Sequence, residues 1–137
     1  MKYHVDECLG PKVLAALRAC DRDATGPEDF GGLGTLDPDW LPRVADEQRM
    51  LLTNDDEIRH QRGETVYFHT HGLMATFYPN PIPIESPVRR MAWLLQSVAR
   101  IEACHRRLTK GCKLRVGTGG ALWIYEPQSR TWKKLRE

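Results

Sequence analysis

The sequence predicts an α/β fold of three layers, α/β/α, in which a small, mainly parallel sheet lies between helices and a basic hairpin follows at the C-terminus. Two observations predict it. Short β-rich runs alternate with helix-patterned segments through the first hundred residues, and no Ser/Gly-rich linker or internal repeat divides the chain. We therefore expect a single domain over residues 1–137, with a core over 1–107 and a C-terminal extension over 108–137.

Composition excludes several classes of protein. Apolar residues make up 41% of the chain and charged residues 28%, which is typical of a folded globular protein rather than a disordered one. No run approaches the roughly 18 apolar residues of a membrane span, and the first residues do not have the pattern of a signal peptide. The four cysteines form no C-x-x-C pair, so we expect reduced thiols, no zinc knuckle and a cytoplasmic location.

Four short strands are predicted in the first 70 residues. Each is a run of apolar, β-branched or aromatic residues bounded by polar residues, glycine or proline. The third run is apolar up to its last residue, as expected for a buried parallel strand. The predicted strands are Tyr3–Val5, Asp21–Thr25, Met50–Thr53 and Thr65–His69.

Three helices are predicted between and after these strands. Proline suits the first helical position because its missing N–H would be unpaired there, and Pro11 and Pro87 each begin a helix, the second one capped by Ser86. The remaining helix starts near Pro38 with Asp37 as its cap, and a helical turn is expected at Ile58–Gln61. The buried helix faces are Val13, Leu14 and Leu17, then Leu41, Val44 and Ala45, then Met91, Leu94, Leu95, Val98, Ile101 and Leu108.

Glycine- and proline-rich segments mark the connections. Gly26–Gly34 is predicted to be a loop and Pro79–Pro87 a connector. In the tail, two β-rich runs at 114–116 and 121–125 flank Gly117–Gly120. No helical pattern follows these glycines, so a hairpin turn is favoured over a phosphate-binding loop.

Charge is distributed unevenly along the chain. Residues 1–85 contain 8 Lys and Arg against 15 Asp and Glu, whereas residues 86–137 contain 12 against 3. Two interpretations stay open: a solvated surface of both signs, or an acidic pocket beside a basic flank that suits a metal ion and a polyanion. The candidate RNA contacts lie on or near the longest helix, where they could equally form a solvated face. They are Arg89, Arg90, Arg106 and Arg107.

Acidic residues follow two of the predicted strands. Asp6 and Glu7 come after the first strand, Asp55, Asp56 and Glu57 follow the third, and Asp37 lies at a helix N-terminus that usually faces the same edge. Sites of parallel α/β sheets lie at the C-terminal ends of the strands. Carboxylates that cluster there suit Mg²⁺ or Mn²⁺, although each alone could be a helix cap, a strand-end acid or a turn former.

Three segments resemble the PIN-like domain family, and specifically its VapC-type toxin branch. Tyr3–Glu7 is similar to the family's strand that ends in Asp-Glu. Asp37–Pro42 is similar to its D-x-x-W-[IL]-P helix start, and Leu51–Ile58 to its [LI]-x-T-x-D-x-x-I strand end.

The resemblance implies a metal-dependent ribonuclease, often the toxin of a toxin–antitoxin pair, with RNA and a cognate antitoxin as partners and a possible homodimer. It implies that Asp6, Asp37 and Asp55 are catalytic residues that hold the metal. Asp39 is an alternative to Asp37 for this position of the motif, but the sequence spacing to Trp40 favours Asp37. Further candidate ligands are Glu7, Asp56 and Glu57, the last standing where many relatives have an aspartate.

Two other functions stay open beside the enzyme. One is a catalytically weak or inactive PIN-like module that binds nucleic acid or protein. The other is a non-nuclease phosphotransfer protein, which the absence of a phosphorylation-type lysine after the third strand disfavours.

Several other side chains could have a role in the site. His69 and His71 have no third ligand near in sequence, so ordinary histidines are favoured over metal or RNA contacts. Cys8 is favoured as a structural thiol. Among the tryptophans that could stack bases, Trp93 and Trp123 suit the core or an interface better, and the role of Trp132 is open.

Overall fold

The structure is a computed structural model, and it describes residues 1–34, 37–55, 58 and 64–136. In these residues the chain forms one mixed sheet of seven strands. Its strands are β1 (Lys2–Val5), β2 (Asp23–Thr25), β3 (Arg49–Thr53), β4 (Met74–Phe77), β5 (Lys113–Val116), β6 (Leu122–Glu126) and β7 (Thr131–Lys134). They lie in the order β2-β1-β3-β4-β5-β6-β7. The pairs from β2 to β5 are parallel, and β6 and β7 add two antiparallel strands.

Three α-helices of the described chain connect the parallel strands: α1 (Pro11–Ala19), α2 (Asp37–Asp46) and α3 (Pro87–Ala103). Proline lies in the first turn of both α1 and α3, as predicted. Ser86 caps α3, where its side chain accepts a hydrogen bond from the backbone N–H of Arg89 at 3.4 Å. Short 3₁₀ turns at Glu7–Leu9, Pro27–Phe30 and His105–Arg107 and a π-helical turn at Glu64–Thr70 complete the connections.

The sheet has a hydrophobic core on each face. Side chains of α1 and α3 pack with one set of strand residues, and those of α2 and the π-helical turn pack with the alternate set. β3 is buried along its whole length, with Met50 and Leu52 in the first core and Leu51 in the second. This arrangement confirms the predicted three-layer α/β/α fold with a mainly parallel sheet.

The predicted fourth strand at Thr65–His69 is wrong. Glu64–Thr70 forms a π-helical turn, and the strand that pairs with β3 is Met74–Phe77. A parallel connection must return along the sheet before the next strand begins, and the π-helical turn is part of this return. Its Phe68 is buried against Phe77, with ring centroids 6.4 Å apart, so tertiary packing overrides the β-propensity of the segment.

Other boundaries differ less. Asp37 is the first residue of α2 rather than the cap before it. α3 ends at Ala103, so Arg106 and Arg107 lie in the following 3₁₀ turn and Leu108 beyond it. Ile58 is helical, and the rest of the turn predicted at Ile58–Gln61 falls outside the described residues.

The C-terminal hairpin is confirmed, and its first strand β5 pairs directly with β4, so the hairpin extends the main sheet. A further strand that was not predicted, β7, follows it. The cysteines are free thiols. Within the described residues, no helix has the length and apolar character needed to cross a membrane.

Packing of α2 on the sheet gives a stability prediction. Leu41 of α2 is fully buried, whereas Val88 of α3 is 80% exposed. We expect Leu41→Ala to lower the free energy of unfolding by about 2–5 kcal/mol, because it leaves a cavity between α2 and β3. Val88→Ala, the control, should change it by less than about 0.5 kcal/mol. Urea denaturation measures both, and equal effects would contradict the two-core arrangement.

Candidate functional site

The strand order changes direction between β1 and β3. The chain passes from β1 to β2 on one side and then returns to place β3 on the other side of β1. In open parallel sheets, ligands bind outside the carboxyl ends of the strands at such a switch point. Asp6 follows β1 directly and Asp55 follows β3 by two residues, so both predicted ligands lie at the switch point.

Hydrogen bonds hold the two strand ends together at this point. The backbone N–H of Asp6 donates to Leu52 O at 3.0 Å. The buried hydroxyl of Thr53 donates to Asp6 Oδ2 at 2.7 Å and accepts from the backbone N–H of Asp55 at 3.0 Å. The backbone N–H of Glu7 donates to Asp6 Oδ1 at 2.8 Å. One threonine hydroxyl therefore orients Asp6 and positions the chain at Asp55.

Electrostatics at Asp6 favour a positive charge nearby. The residue is 8% exposed, and burial raises the pKa of its carboxyl group. Hydrogen bonds from Thr53, Cys8 and Glu7 lower this pKa, while the charge of Asp55 raises it. The pKa of Asp6 therefore lies above its ordinary value. As the pH rises from the ordinary pKa of an aspartate to the raised pKa of Asp6, the folded state loses stability relative to the unfolded state. A bound cation would relieve both the desolvation and the repulsion.

A pocket of about 100 Å³ opens beside these groups. The three aspartates predicted as ligands all line it, with Asp37 contributed by the first turn of α2. Glu7 also lines it, and its Oε2 accepts from the backbone N–H of Gly34 at 3.4 Å. Asp39, in the same helical turn as Asp37, is not a lining residue. Asp56 and Glu57 fall outside the described residues.

The donor chemistry of the pocket fits a hydrated hard cation. In the described ranges, no three His, Cys, Asp or Glu side chains are close enough to bind one ion directly. Mg²⁺ usually retains several waters and takes one or two carboxylates from the protein. The pocket volume accommodates such waters, so its carboxylates suit binding that is partly water-mediated.

Aromatic residues that sequence reasoning missed form one wall of the pocket. Phe30 and Trp40 lie 5.0 and 5.1 Å, centroid to centroid, from the ring of His4, which is 1% exposed. Burial, with a smaller effect of Arg49, lowers the pKa of His4 to about 4. His4 is therefore neutral at neutral pH, where its Nδ1 pairs with Thr25 Oγ1 at 2.8 Å.

Thr53 was also missed as a functional residue. A signal for it was present, because Thr53 is the one polar residue that ends the apolar run at 50–53, two positions before Asp55. Cys8 lies beside it, with Sγ 3.4 Å from both Asp6 Oδ2 and Thr53 Oγ1. Burial raises the pKa of the Cys8 thiol, so it remains protonated and serves as a hydrogen-bond donor to the site.

The arginines predicted to contact RNA do not form one patch. Arg89 and Arg90 lie at the start of α3, and Arg106 and Arg107 lie beyond its end. The 17 residues of α3 span about 25 Å. The Arg90 guanidinium donates to Ile84 O at 2.8 and 2.9 Å, and Arg107 donates to the backbone carbonyl of Arg136.

Of these arginines, Arg90 lines a groove that also includes Cys8, a residue of the acidic pocket, and Asn54. His69 lies in the π-helical turn and His71 just after it, and neither lines the acidic pocket.

The Thr53 hydroxyl gives a testable prediction for the pKa of Asp6. Thr53→Val should raise this pKa further, because it removes a donor that stabilises the ionised carboxylate. Thr53→Ser, which keeps the hydroxyl, should leave it close to the wild-type value. Carbon-13 NMR titration of the Asp6 carboxyl group in the presence of EDTA measures it. The same pKa in all three proteins would contradict the hydrogen-bond assignment.

Comparison with known proteins gives one relationship. A family model described as a PIN-like domain matches residues 1–80, more than half of the 137-residue chain, and the match includes Asp6, Asp37 and Asp55. No curated protein and no solved structure matches the chain. A PIN-like domain in general suggests a nuclease or nucleic-acid-binding function. Because this family model matches more than half of the chain, the chain belongs to the PIN-like domain family.

Proposed function

We propose that the chain is a Mg²⁺- or Mn²⁺-dependent endoribonuclease that hydrolyses RNA phosphodiester bonds at the acidic pocket. The observation that carries this proposal is the convergence of Asp6, Asp37 and Asp55, from three different segments, on one pocket at the switch point. Membership of the PIN-like domain family supports it, because the family relationship favours a nuclease or nucleic-acid-binding function.

In this proposal each residue has a defined task. Asp6 and Asp55 hold the cation from the ends of β1 and β3, and Asp37 provides a carboxylate from α2. Asp56 and Glu57 are proposed as further ligands next to Asp55. Thr53 keeps the Asp6 carboxylate in one orientation through its 2.7 Å hydrogen bond. The cation, when bound, neutralises the phosphodiester and lowers the pKa of a water nucleophile.

The remaining side chains of the pocket favour hydrolysis by water over covalent catalysis. Covalent catalysis needs a nucleophile activated by a base or by a lowered pKa. Burial raises the pKa of Cys8 instead. His4, the imidazole of the pocket, pairs with Thr25 rather than with the thiol.

We further propose that the protein is the toxin of a VapBC-type toxin–antitoxin pair and acts in the cytoplasm. The similarity of its three acidic segments to those of VapC-type toxins supports this. A cognate antitoxin would silence the enzyme by covering the pocket or by placing a cationic side chain among its carboxylates. A homodimer is compatible with this proposal.

One observation favours a second function, that of a PIN-like module that binds nucleic acid with little or no catalysis. Among the described residues, the acidic side chains are not close enough for three of them to bind one ion directly. The cleavage experiment below distinguishes the two functions.

Cleavage should depend on the pocket carboxylates. With Mn²⁺ present, we expect Asp6→Asn and Asp37→Asn each to lower the rate of cleavage of a labelled RNA by at least about 100-fold, as loss of a catalytic electrostatic group does. EDTA should abolish cleavage by the wild-type protein. The rates are measured on denaturing gels.

Asp39→Asn is the matched control, because Asp39 is in the same turn of α2 and has the same charge, but does not line the pocket. Its rate should remain near the wild-type rate. Equal cleavage by wild-type protein, Asp6→Asn and the EDTA-treated sample would show that the activity does not come from this pocket.

Cation binding should also stabilise the fold. Because Asp6 is buried and repelled by Asp55, we expect saturating Mn²⁺ to raise the free energy of unfolding by about 2–3 kcal/mol at a hundredfold excess over Kd. Asp6→Asn should remove this increment. Thermal unfolding with and without Mn²⁺ measures it, and an equal increment in both proteins would place the cation elsewhere.

A further inference from the structure

Three cationic and three aromatic side chains share one face of the C-terminal strands. In β5 to β7, the register places Arg115 opposite Trp123, Trp123 opposite Lys134 and Tyr125 opposite Trp132. Directly opposed residues project to the same side of a sheet, and successive residues alternate. The cation–aromatic face therefore consists of Lys113, Arg115, Trp123, Tyr125, Trp132 and Lys134.

Within this face, two of the three cations lie over aromatic rings. The Arg115 guanidinium carbon is 4.8 Å from the centroid of the Trp132 ring and 5.5 Å from that of Trp123. Lys113, which is 5% exposed, has its Nζ 4.9 Å from the Tyr125 ring centroid. Tyr125 and Trp132 lie 5.4 Å apart, centroid to centroid. The three rings thus form one cluster with Arg115 and Lys113.

Apart from the buried Lys113, the face is open to ligands. The rings of Trp123, Tyr125 and Trp132 are half-buried, and Arg115 and Lys134 are exposed. A pocket of about 460 Å³, lined by Lys113, Tyr125 and neighbouring residues, adjoins it. The opposite face of the same strands instead carries Leu114, Val116 and Leu122, which pack in the core with α3.

Charge on these strands is segregated in favour of an anionic ligand. Glu126, the acidic residue of β6, alternates with Tyr125 and so lies on the opposite face. There it forms an ion pair with Lys133, with Nζ and Oε2 2.7 Å apart. The cation–aromatic face is thus basic, within a segment, residues 108–137, that has seven Lys and Arg against two Glu.

We propose that the cation–aromatic face binds single-stranded RNA, with bases stacked on the tryptophan and tyrosine rings and phosphates paired with Arg115 and Lys134. Alternating rings and cations on an open sheet suit unpaired bases and a phosphate backbone. Duplex RNA buries its base faces and does not offer them to the rings. We infer a nucleic acid rather than a protein as the ligand of this face, because the positive charge of the face complements a polyanion.

The position of this face suits delivery of RNA to the acidic pocket. Ala75 pairs with Lys113 and Phe77 with Arg115, so the face continues the side of the sheet on which α2 and the acidic pocket lie. From β3 to β6 is three strand spacings, about 14 Å. The inference rests on the proposed function, since it supplies the substrate-binding surface of the same nuclease.

Two neighbouring lysines allow a matched test. Lys134 belongs to the face and Lys133 lies on the opposite side of the same strand. We expect Lys134→Gln to weaken binding of a labelled single-stranded RNA and to reduce the salt slope of binding by about 1, whereas Lys133→Gln should leave both unchanged. Fluorescence anisotropy in EDTA measures binding without cleavage. Equal effects of the two substitutions would overturn the proposal.

Stacking is tested by Trp132→Leu, which keeps an apolar side chain but loses the ring. We expect the affinity for single-stranded RNA to fall by about 5- to 100-fold, and RNA to quench the tryptophan fluorescence of the wild-type protein more than that of the variant. Wild-type protein should prefer single-stranded over duplex RNA. Unchanged RNA affinity together with loss of self-association in sedimentation would overturn the proposal and identify a protein interface.

Failure of this inference is distinguishable from failure of the proposed function. If the lysine pair behaves as expected in EDTA but no Mn²⁺-dependent cleavage occurs, the RNA-binding face stands and the nuclease does not. If Asp6→Asn abolishes cleavage while both lysine variants bind RNA like the wild-type protein, the nuclease stands and the face is overturned.

Discussion

The hydrogen bond from Thr53 to Asp6 is the interaction on which the site depends. Parallel pairing brings the ends of β1 and β3 side by side, and the 2.7 Å bond from the buried hydroxyl fixes a carboxylate at this point. Burial and the nearby charge of Asp55 both raise the pKa of that carboxyl group. The fold therefore holds a carboxylate at a cost in stability, which is characteristic of functional sites.

The half of the sheet around β1 and β3 and the half formed by β5 to β7 differ in charge and in whether a helix packs on them. Around β1 and β3, α2 covers the sheet and its first turn supplies Asp37 to the acidic pocket. Around β5 to β7, the same side of the sheet carries the cation–aromatic face. Part of the uneven charge along the sequence thus corresponds to two surfaces on one side of the sheet. The arginines of α3 belong to a helix that packs on the other side. An acidic pocket beside a basic face suits a cation and a polyanion together.

Sequence patterns were sufficient for the fold class and for the placement of Asp6 and Asp55, because strand-end position follows directly from the parallel topology. The sequence patterns did not predict the features that depend on tertiary packing. Thr65–His69 has strand propensity, yet Phe68 is buried in a helical turn. The face formed by β5 to β7 depends on the register of β7, a strand that was not predicted. His4 and Thr53 acquire their roles only through neighbours distant in sequence.

Anomalous diffraction from crystals soaked in Mn²⁺ would show whether the acidic pocket binds a cation, because it locates the cation without requiring activity. We expect an anomalous peak in the acidic pocket, at direct or water-mediated distance from Asp6 and Asp55. In Asp6→Asn crystals this peak should disappear. A fully soaked wild-type crystal without a peak in this pocket, or with its strongest peak elsewhere on the protein, would contradict it.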